Sequence, residues 1–181
     1  MRRQLRPFYS AEELARVYSR PYDHTRWEDH RTRIALTTRL ARWYADSYRV
    51  TSIADLSCGD AAIVRALGAP ERLCYTNDLL LGRPIEEAVL DLEPAVDLFI
   101  CTETLEHVER PDWLLEQIRQ RARMLILSTP DGETTADNPE HYWGWDVDEI
   151  EKMLHNAGWK VDRLLLYDTQ LVYRFGIWGC L

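Results

Sequence analysis

The ten residues Ser52-Ile-Ala-Asp-Leu-Ser-Cys-Gly-Asp-Ala61 restrict the fold more than any other stretch of this chain. Ser52 to Asp55 reads as a buried strand ending in an acid, and Gly59 marks a tight turn that opens a helix. Glycine there lets the backbone bend sharply and approach a ligand that a side chain would block. In α/β sheets this is the place where a nucleotide-like cofactor sits. A full glycine-rich loop would also carry glycine at the positions of Ser57 and Ala61, so the turn alone does not separate a nicotinamide site from other cofactor sites.

A chain of 181 residues fits one domain that buries a core without disulfides or structural metal. Cys58, Cys74, Cys101 and Cys180 are scattered and form no CxxC pair, which predicts reduced thiols in a cytoplasmic protein and no zinc or other metal site. No apolar run approaches the ~20 residues of a membrane span. Met1-Arg-Arg-Gln-Leu-Arg lacks the apolar stretch of a secretory signal, so a soluble intracellular protein is expected. The net charge of −8 is unevenly spread, because residues 1–50 hold eleven Arg against six acids. A basic arm of that kind meets nucleic acid or an acidic substrate, or is a solvated helix docked on its own acidic domain.

Ser10-Ala-Glu-Glu13 has capping-box spacing and predicts a helix from Ala11, with Pro21 as a break and a longer helix from about Trp27 to Tyr48. From Thr51 on, short apolar runs alternate with helical patterns, as in βαβ units with a parallel sheet covered on both faces. The expected strands are 52–56, 72–76, 88–90, 97–101, 124–128, 161–167 and 171–177. Helices are expected over 61–67, over 111–122, and after a second capping box, Asp146-Val-Asp-Glu149, ending at Gly158. The short link between the last two strands allows only an antiparallel pair.

Asp55, Asp78 and Asp91 fall at the carboxyl ends of the first three predicted strands, and such ends converge on one crevice. Asp78 follows Gly59 by nineteen residues, the distance at which a strand-end carboxylate meets a ribose. With Asp91-Leu92, the run Asp97-Leu-Phe-Ile-Cys-Thr-Glu-Thr-Leu-Glu-His-Val108, Ser128-Thr-Pro130, Ala157-Gly-Trp159 and the terminal hairpin, residues 50–179 resemble a class I S-adenosylmethionine-dependent methyltransferase, with the motifs in family order. The resemblance implies a Rossmann-like, mostly parallel seven-stranded sheet whose last strand is antiparallel and inserted beside the fifth. Its cofactor would be S-adenosylmethionine. Asp55, Ser57 and Gly59 would surround the methionine part, with Asp55 on its ammonium. Asp78, with Leu79 beside it, would hold the ribose, and Asp91 and the Leu92 amide would read the adenine. Thr102 and Glu103 would lie near the methionine end, and His107 would close the turn and shape the pocket. Ser57 and Ala61 depart from the family glycines, which leaves a non-catalytic cofactor-binding or scaffold module as one alternative.

Asp137-Asn-Pro-Glu-His-Tyr-Trp-Gly-Trp145 lies between the fifth strand and the last helix, where relatives present side chains to the methyl acceptor. His141 is the candidate general base, with Tyr142, Trp143 and Trp145 as a wall for the acceptor or as a loop anchor. Residues 1–50, with Phe8, Tyr9, Tyr18, Tyr22, His24, Trp27 and His30, are expected to form a helical lid or cap over domain 51–181. The expected reaction is methyl transfer to oxygen or nitrogen of a small molecule such as a metabolite, sugar or natural product. A nucleic-acid methyltransferase using the basic segment is the other alternative, opposed by Thr102-Glu-Thr-Leu where adenine-modifying enzymes carry Asn/Asp-Pro-Pro-aromatic, and by the acidic remainder.

Overall fold

The computed structural model describes residues 1–17, 28–68, 72–79, 83–135, 138–169 and 174–181. The expected break at Pro21, the aromatic residues Tyr18, Tyr22 and Trp27, His24 and Asp137 lie outside these. A six-stranded sheet runs in the order β3-β2-β4-β5-β8-β7, built from β2 (Ser52–Asp55), β3 (Leu73–Thr76), β4 (Val96–Thr102), β5 (Ala122–Asp131), β7 (Val161–Asp168) and β8 (Arg174–Cys180). β3, β2, β4 and β5 are parallel. β8 is antiparallel to both β5 and β7, which places the last strand beside the fifth as expected. A two-residue pair, β1 (Arg3–Gln4) with β6 (Trp143–Gly144), ties the amino terminus to the segment after β5.

One expected strand is absent. Residues 88–90 belong to α4 (Ile85–Ala88) and a 3-10 turn, Val89–Asp91, so the described residues hold six strands in the main sheet where seven were expected. Pro84 caps the helix, Glu86 and Glu87 favour its amino end, and Ile85, Ala88 and Val89 bury one face at helical spacing. β3 is consequently an edge strand, with Leu73 64 % exposed.

The central strands are apolar on both faces and alternate with period two. Leu98, Ile100, Met124 and Ile126 face α2 (Glu28–Ser47) and α3 (Ala62–Leu67), packing with Leu40, Ala41, Tyr44 and Ile63. Phe99, Cys101, Leu125 and Leu127 face the layer of α5 (Pro111–Arg121) and α6 (Val147–Asn156), where Leu114, Ile118, Ile150 and Leu154 close the core. α2 is thus a sheet-covering helix over its second half. The first capping box forms in both directions ahead of α1 (Ala11–Val17), the Ser10 amide donating to Glu13 Oε2 at 2.7 Å and the Glu13 amide to Ser10 Oγ at 3.3 Å, and Asp146 Oδ1 caps α6 by accepting from the Glu149 amide at 3.0 Å. All four cysteines are free thiols. No helix among the described residues is long and apolar enough to cross a membrane.

The sheet order reverses at β2: the chain first places β3 on one side of it, then β4 on the other. A crevice opens outside the carboxyl ends of strands at such a reversal. Asp55, Ser57, Gly59, Asp78, Thr102 and Glu103 come from these ends.

Candidate active site

Asp55 ends β2 with 2 % exposure, and its carboxylate accepts the Ser57 amide at 3.4 Å. Burial pushes its pKa up to about 7; the Ser57 hydrogen bond opposes the shift, nearby Asp78 adds to it, and Arg33 on α2 opposes it. The turn that follows is held from below. Gly59 adopts φ +51° with open space where a side chain would stand, and its amide donates to Asp78 Oδ2 at 2.8 Å. Ala61 takes the left-handed conformation at φ 57°, which glycine occupies more readily, so the departure from a glycine-rich loop is accommodated by backbone strain. Ser57 forms a 2.7 Å hydroxyl–hydroxyl hydrogen bond with Thr104, joining the turn after β2 to the turn after β4.

Asp78 stands just past β3, half-buried, with Leu79 exposed next to it. Asp91 is exposed and ion-paired with Arg83 at 2.7 Å. Leu92 is buried, and its amide donates to the Val89 carbonyl at 3.3 Å. Those two come from a helical turn, not from the end of a strand as expected.

The turn after β4 carries the densest polar chemistry. Thr102 is buried, and Glu103 is held at φ 50°, a conformation that costs energy in a residue with a side chain and is found where function demands it. Ser128, inside β5, fixes Glu103 twice: its carbonyl accepts the Glu103 amide at 2.8 Å and its hydroxyl donates to Oε1 at 2.8 Å. Arg33 Nε lies 3.9 Å from the same carboxylate, while Arg33 Nη1 is buried and has no hydrogen-bond partner among the described residues.

Glu106 is fully buried. Its Oε2 accepts from Thr129 at 2.9 Å, and Thr129 in turn accepts from Trp145 Nε1 at 3.1 Å. Its Oε1 has no hydrogen-bond partner among the described residues and lies 3.9 Å from His107 Nε2. Burial, then the charge of Glu103, holds the Glu106 pKa well above the ordinary carboxylate range. His107 Nδ1 faces the Glu140 carbonyl at 3.0 Å.

His141 packs edge-to-face against His107, ring centroids 4.8 Å apart. It is buried, with Nδ1 2.6 Å from Glu133 Oε2 and Nε2 2.9 Å from Asn138 Nδ2. Burial, reinforced by Arg6, lowers its pKa to about 4. The ring is therefore neutral near pH 7, and the carboxylate partner assigns the proton to Nδ1. Gly144 brings the Glu133 backbone against this segment, since a Cβ at 144 would overlap the Glu133 carbonyl. Tyr142 is buried beneath Phe8 and Tyr9, with ring centroids at 5.1 and 5.7 Å. Trp145 is buried in the core. The aromatic run therefore anchors the segment, and only Trp143 is partly open, bordering a shallow groove of about 470 Å³ with Phe8, Arg110 and Trp113.

The crevice thus brings together Asp55, Ser57, Gly59, Asp78, Thr102 and Glu103, with His107 and His141 beside them, while Asp91 and Leu79 stay at its exposed flank. Arg33, Thr104, Glu106 and Glu133 belong to the same arrangement and were not singled out from sequence. Glu133 and Arg33 lack any motif, and their partners lie 8 and about 70 residues away, so pairing was not readable from spacing. Glu106 sat in the recognised motif, and its burial carried no sequence signal.

No protein-family model and no curated protein matches the sequence. Solved structures do. Magnesium protoporphyrin IX methyltransferase from Synechocystis PCC 6803, with bound S-adenosylhomocysteine, superposes with TM-score 0.67 over 93 % of each chain at 16 % identity. Burkholderia thailandensis 1,6-didemethyltoxoflavin-N1-methyltransferase, with its acceptor and S-adenosylhomocysteine, gives 0.65 over 97 % of this chain and 91 % of that one at 15 % identity. The N-terminal domain of EvdMO1, in the presence of S-adenosylhomocysteine and D-fucose, gives 0.61 over 80 % and 82 % at 17 % identity. The chain has the Rossmann-like fold of class I methyltransferases.

Proposed function

We propose that this protein is an S-adenosylmethionine-dependent methyltransferase acting on oxygen or nitrogen of a small molecule. The observation that carries the reading is the convergence of Asp55, Gly59 and Asp78 on one crevice at the reversal of strand order, with the Gly59 amide already seated on Asp78. The solved neighbours, two with S-adenosylhomocysteine bound and one obtained in its presence, support it. S-adenosylmethionine supplies a methyl group activated by its sulfonium, so the chain's task is to align donor and acceptor and exclude water. Asp55 meets the ammonium, Asp78 the ribose hydroxyls, and Asp91 with the Leu92 amide the adenine. Arg33, a buried cation with an unpartnered Nη1, is placed for the methionine carboxylate.

The acceptor's proton is handled at the Glu106, His107 and His141 group, with neutral His141, oriented by Glu133, as the base and Tyr142 anchoring its segment. Of the segment 1–50, the first ten residues serve as the cap, while α2 covers the sheet: Arg6 donates to the carbonyls of His141 and Asn138, at 3.1 and 2.6 Å. Arg2 on Asp112 and Arg33 beside Glu103 are used within the domain in the same way, while Arg3, Arg16, Arg31, Arg39, Arg42 and Arg49 are exposed.

Calorimetry with S-adenosylmethionine tests the reading. One saturable site per chain is expected, and no binding by the folded protein would remove both the cofactor and the enzyme. His141→Ala should leave cofactor affinity nearly unchanged while methyl transfer falls steeply; unchanged turnover would take His141 out of the mechanism.

A further inference from the structure

Glu106, His107 and His141 each offer one ligand atom to a common space, all within 4.8 Å of one another. Each imidazole is set up the way metal-binding histidines are. His107 Nδ1 lies on the Glu140 carbonyl and His141 Nδ1 on the Glu133 carboxylate, so both rings are fixed in orientation and both carry their lone pair on Nε2. The third group is a carboxylate with nothing on one oxygen: Glu106 is 0 % exposed, and its Oε1 has no hydrogen-bond partner among the described residues. A buried carboxyl oxygen without a hydrogen-bond partner is costly whether or not the group carries a proton, and a cation bound there removes that cost.

The charge balance points the same way. Three carboxylates gather here: Glu106 Oε2 accepts from Thr129 at 2.9 Å, Glu103 Oε1 accepts from Ser128 at 2.8 Å, and Glu133 Oε2 lies 2.6 Å from His141 Nδ1. Arg33 faces Glu103, and Arg6, on the far side of His141, is turned to backbone carbonyls and Tyr9. Asn138, 2.9 Å from His141 Nε2, is an amide and brings no charge. Glu106 Oε1 lies 3.9 Å from His107 Nε2, and no Lys or Arg is ion-paired with Glu106 among the described residues.

We propose that Glu106 Oε1, His107 Nε2 and His141 Nε2 bind one divalent transition-metal ion that holds an oxygen acceptor for methylation. Two imidazoles and a carboxylate suit Zn²⁺, Mn²⁺, Fe²⁺, Co²⁺ or Ni²⁺ better than Ca²⁺, which prefers an all-oxygen set. Three protein ligands leave coordination positions for the acceptor. The ion displaces the Asn138 amide from His141 Nε2. A hydroxyl bound to it becomes more acidic and gives its proton to solvent. Its oxygen then forms the bond to the methyl carbon while the carbon–sulfur bond breaks, the electron pair staying on sulfur. His141 then serves proton transfer through the ion and not by taking the proton itself. The inference rests on the methyltransferase reading only in this last part; the binding site stands on its own geometry. It departs from the expectation of no metal site stated from the sequence.

The test uses the full chain stripped with chelator and titrated with Co²⁺ alone, read by ligand-field absorption and by metal content after dialysis. One Co²⁺ per chain, displaced by Zn²⁺, is expected, with affinity at least tenfold weaker in Glu106→Gln and in His107→Ala and unchanged in His155→Ala, which alters an exposed histidine on α6. Each variant's thermal transition shows whether it is folded. S-adenosylhomocysteine binding is measured on the same samples. Wild-type protein that binds S-adenosylhomocysteine and gives no Co²⁺ band overturns the metal site and leaves the methyltransferase standing, as does a band unchanged in both ligand variants. Stoichiometric Co²⁺ without S-adenosylhomocysteine binding would sustain the site and overturn the cofactor.

Discussion

On the proposed reading, Asp55 makes the affinity for the cofactor depend on pH. Its carboxyl is buried at the end of β2 and its pKa is pushed up to about 7, against the ordinary carboxylate value near 4. The native chain therefore binds more protons than the unfolded one between about pH 4 and 7, and the free protein loses stability as pH rises through that window. Three units correspond to about 4 kcal/mol at most, an upper bound because water relaxes around such groups. A cofactor ammonium at Asp55 replaces that lost solvation and pulls its pKa back towards 4. Binding should then require ionised Asp55, and for a pKa near 7 the affinity for S-adenosylhomocysteine rises about twenty-fold from pH 5.5 to 7.5. Calorimetry in buffers of different ionisation enthalpy reads both the affinity and the proton released, about half a proton at pH 7. Asp55→Asn, which keeps an acceptor for the Ser57 amide, should flatten this profile, weaken binding at pH 7.5, and raise the thermal midpoint of the free protein there. Affinity flat from pH 5.5 to 7.5, or an Asp55→Asn protein that binds like wild type, would refute the assignment.

On the proposed reading Asp78→Ala removes two charge-assisted hydrogen bonds to the ribose, each about 1.5–3 kcal/mol, and should weaken S-adenosylhomocysteine binding by more than a hundredfold in calorimetry; it also removes the acceptor of the Gly59 amide, so the thermal midpoint should fall as well. Leu114→Ala opens the core between α5 and the sheet and should cost about 2–5 kcal/mol in urea unfolding. Trp145→Phe keeps the ring but removes the donor to Thr129, the residue that orients Glu106; it should cost about 1 kcal/mol of stability and lower Co²⁺ affinity together with turnover. Asp97 accepts from Thr51, Arg123 and Ser52, which hold its pKa down to about 2 despite partial burial. Its contribution is present above pH 4 and lost as pH falls from 4 to 2, so Asp97→Asn should shrink the acid-induced loss of stability seen by circular dichroism in that range.

Much of this fold was legible because local signals agreed with the global one. The caps at Ser10 and Asp146 fix helix starts through their own side chains, and the apolar runs of β4 and β5 are long enough to read as buried parallel strands. The segment 85–91 misled because Ala88-Val-Leu is equally apolar in a strand and in a helix, and tertiary burial of Ile85, Ala88 and Val89 decides between them. The β1–β6 pair is only two residues long and joins segments about 140 residues apart, beyond what periodicity can register. At the site, backbone-defined positions such as Gly59 and the strand-end acids Asp55 and Asp78 were readable. Whether His141 faced solvent, and that it met Glu133, His107 and a buried Glu106, depended on how β4, β5 and the amino-terminal arm pack together.

A crystal structure of the protein with S-adenosylhomocysteine tests the central claim most directly. The account predicts the ligand outside the ends of β2 and β3, its ribose hydroxyls on Asp78 and its ammonium at Asp55, with the sulfur turned towards the Glu106, His107 and His141 group. A ligand bound elsewhere, or a crevice that stays empty at saturating S-adenosylhomocysteine, would contradict it.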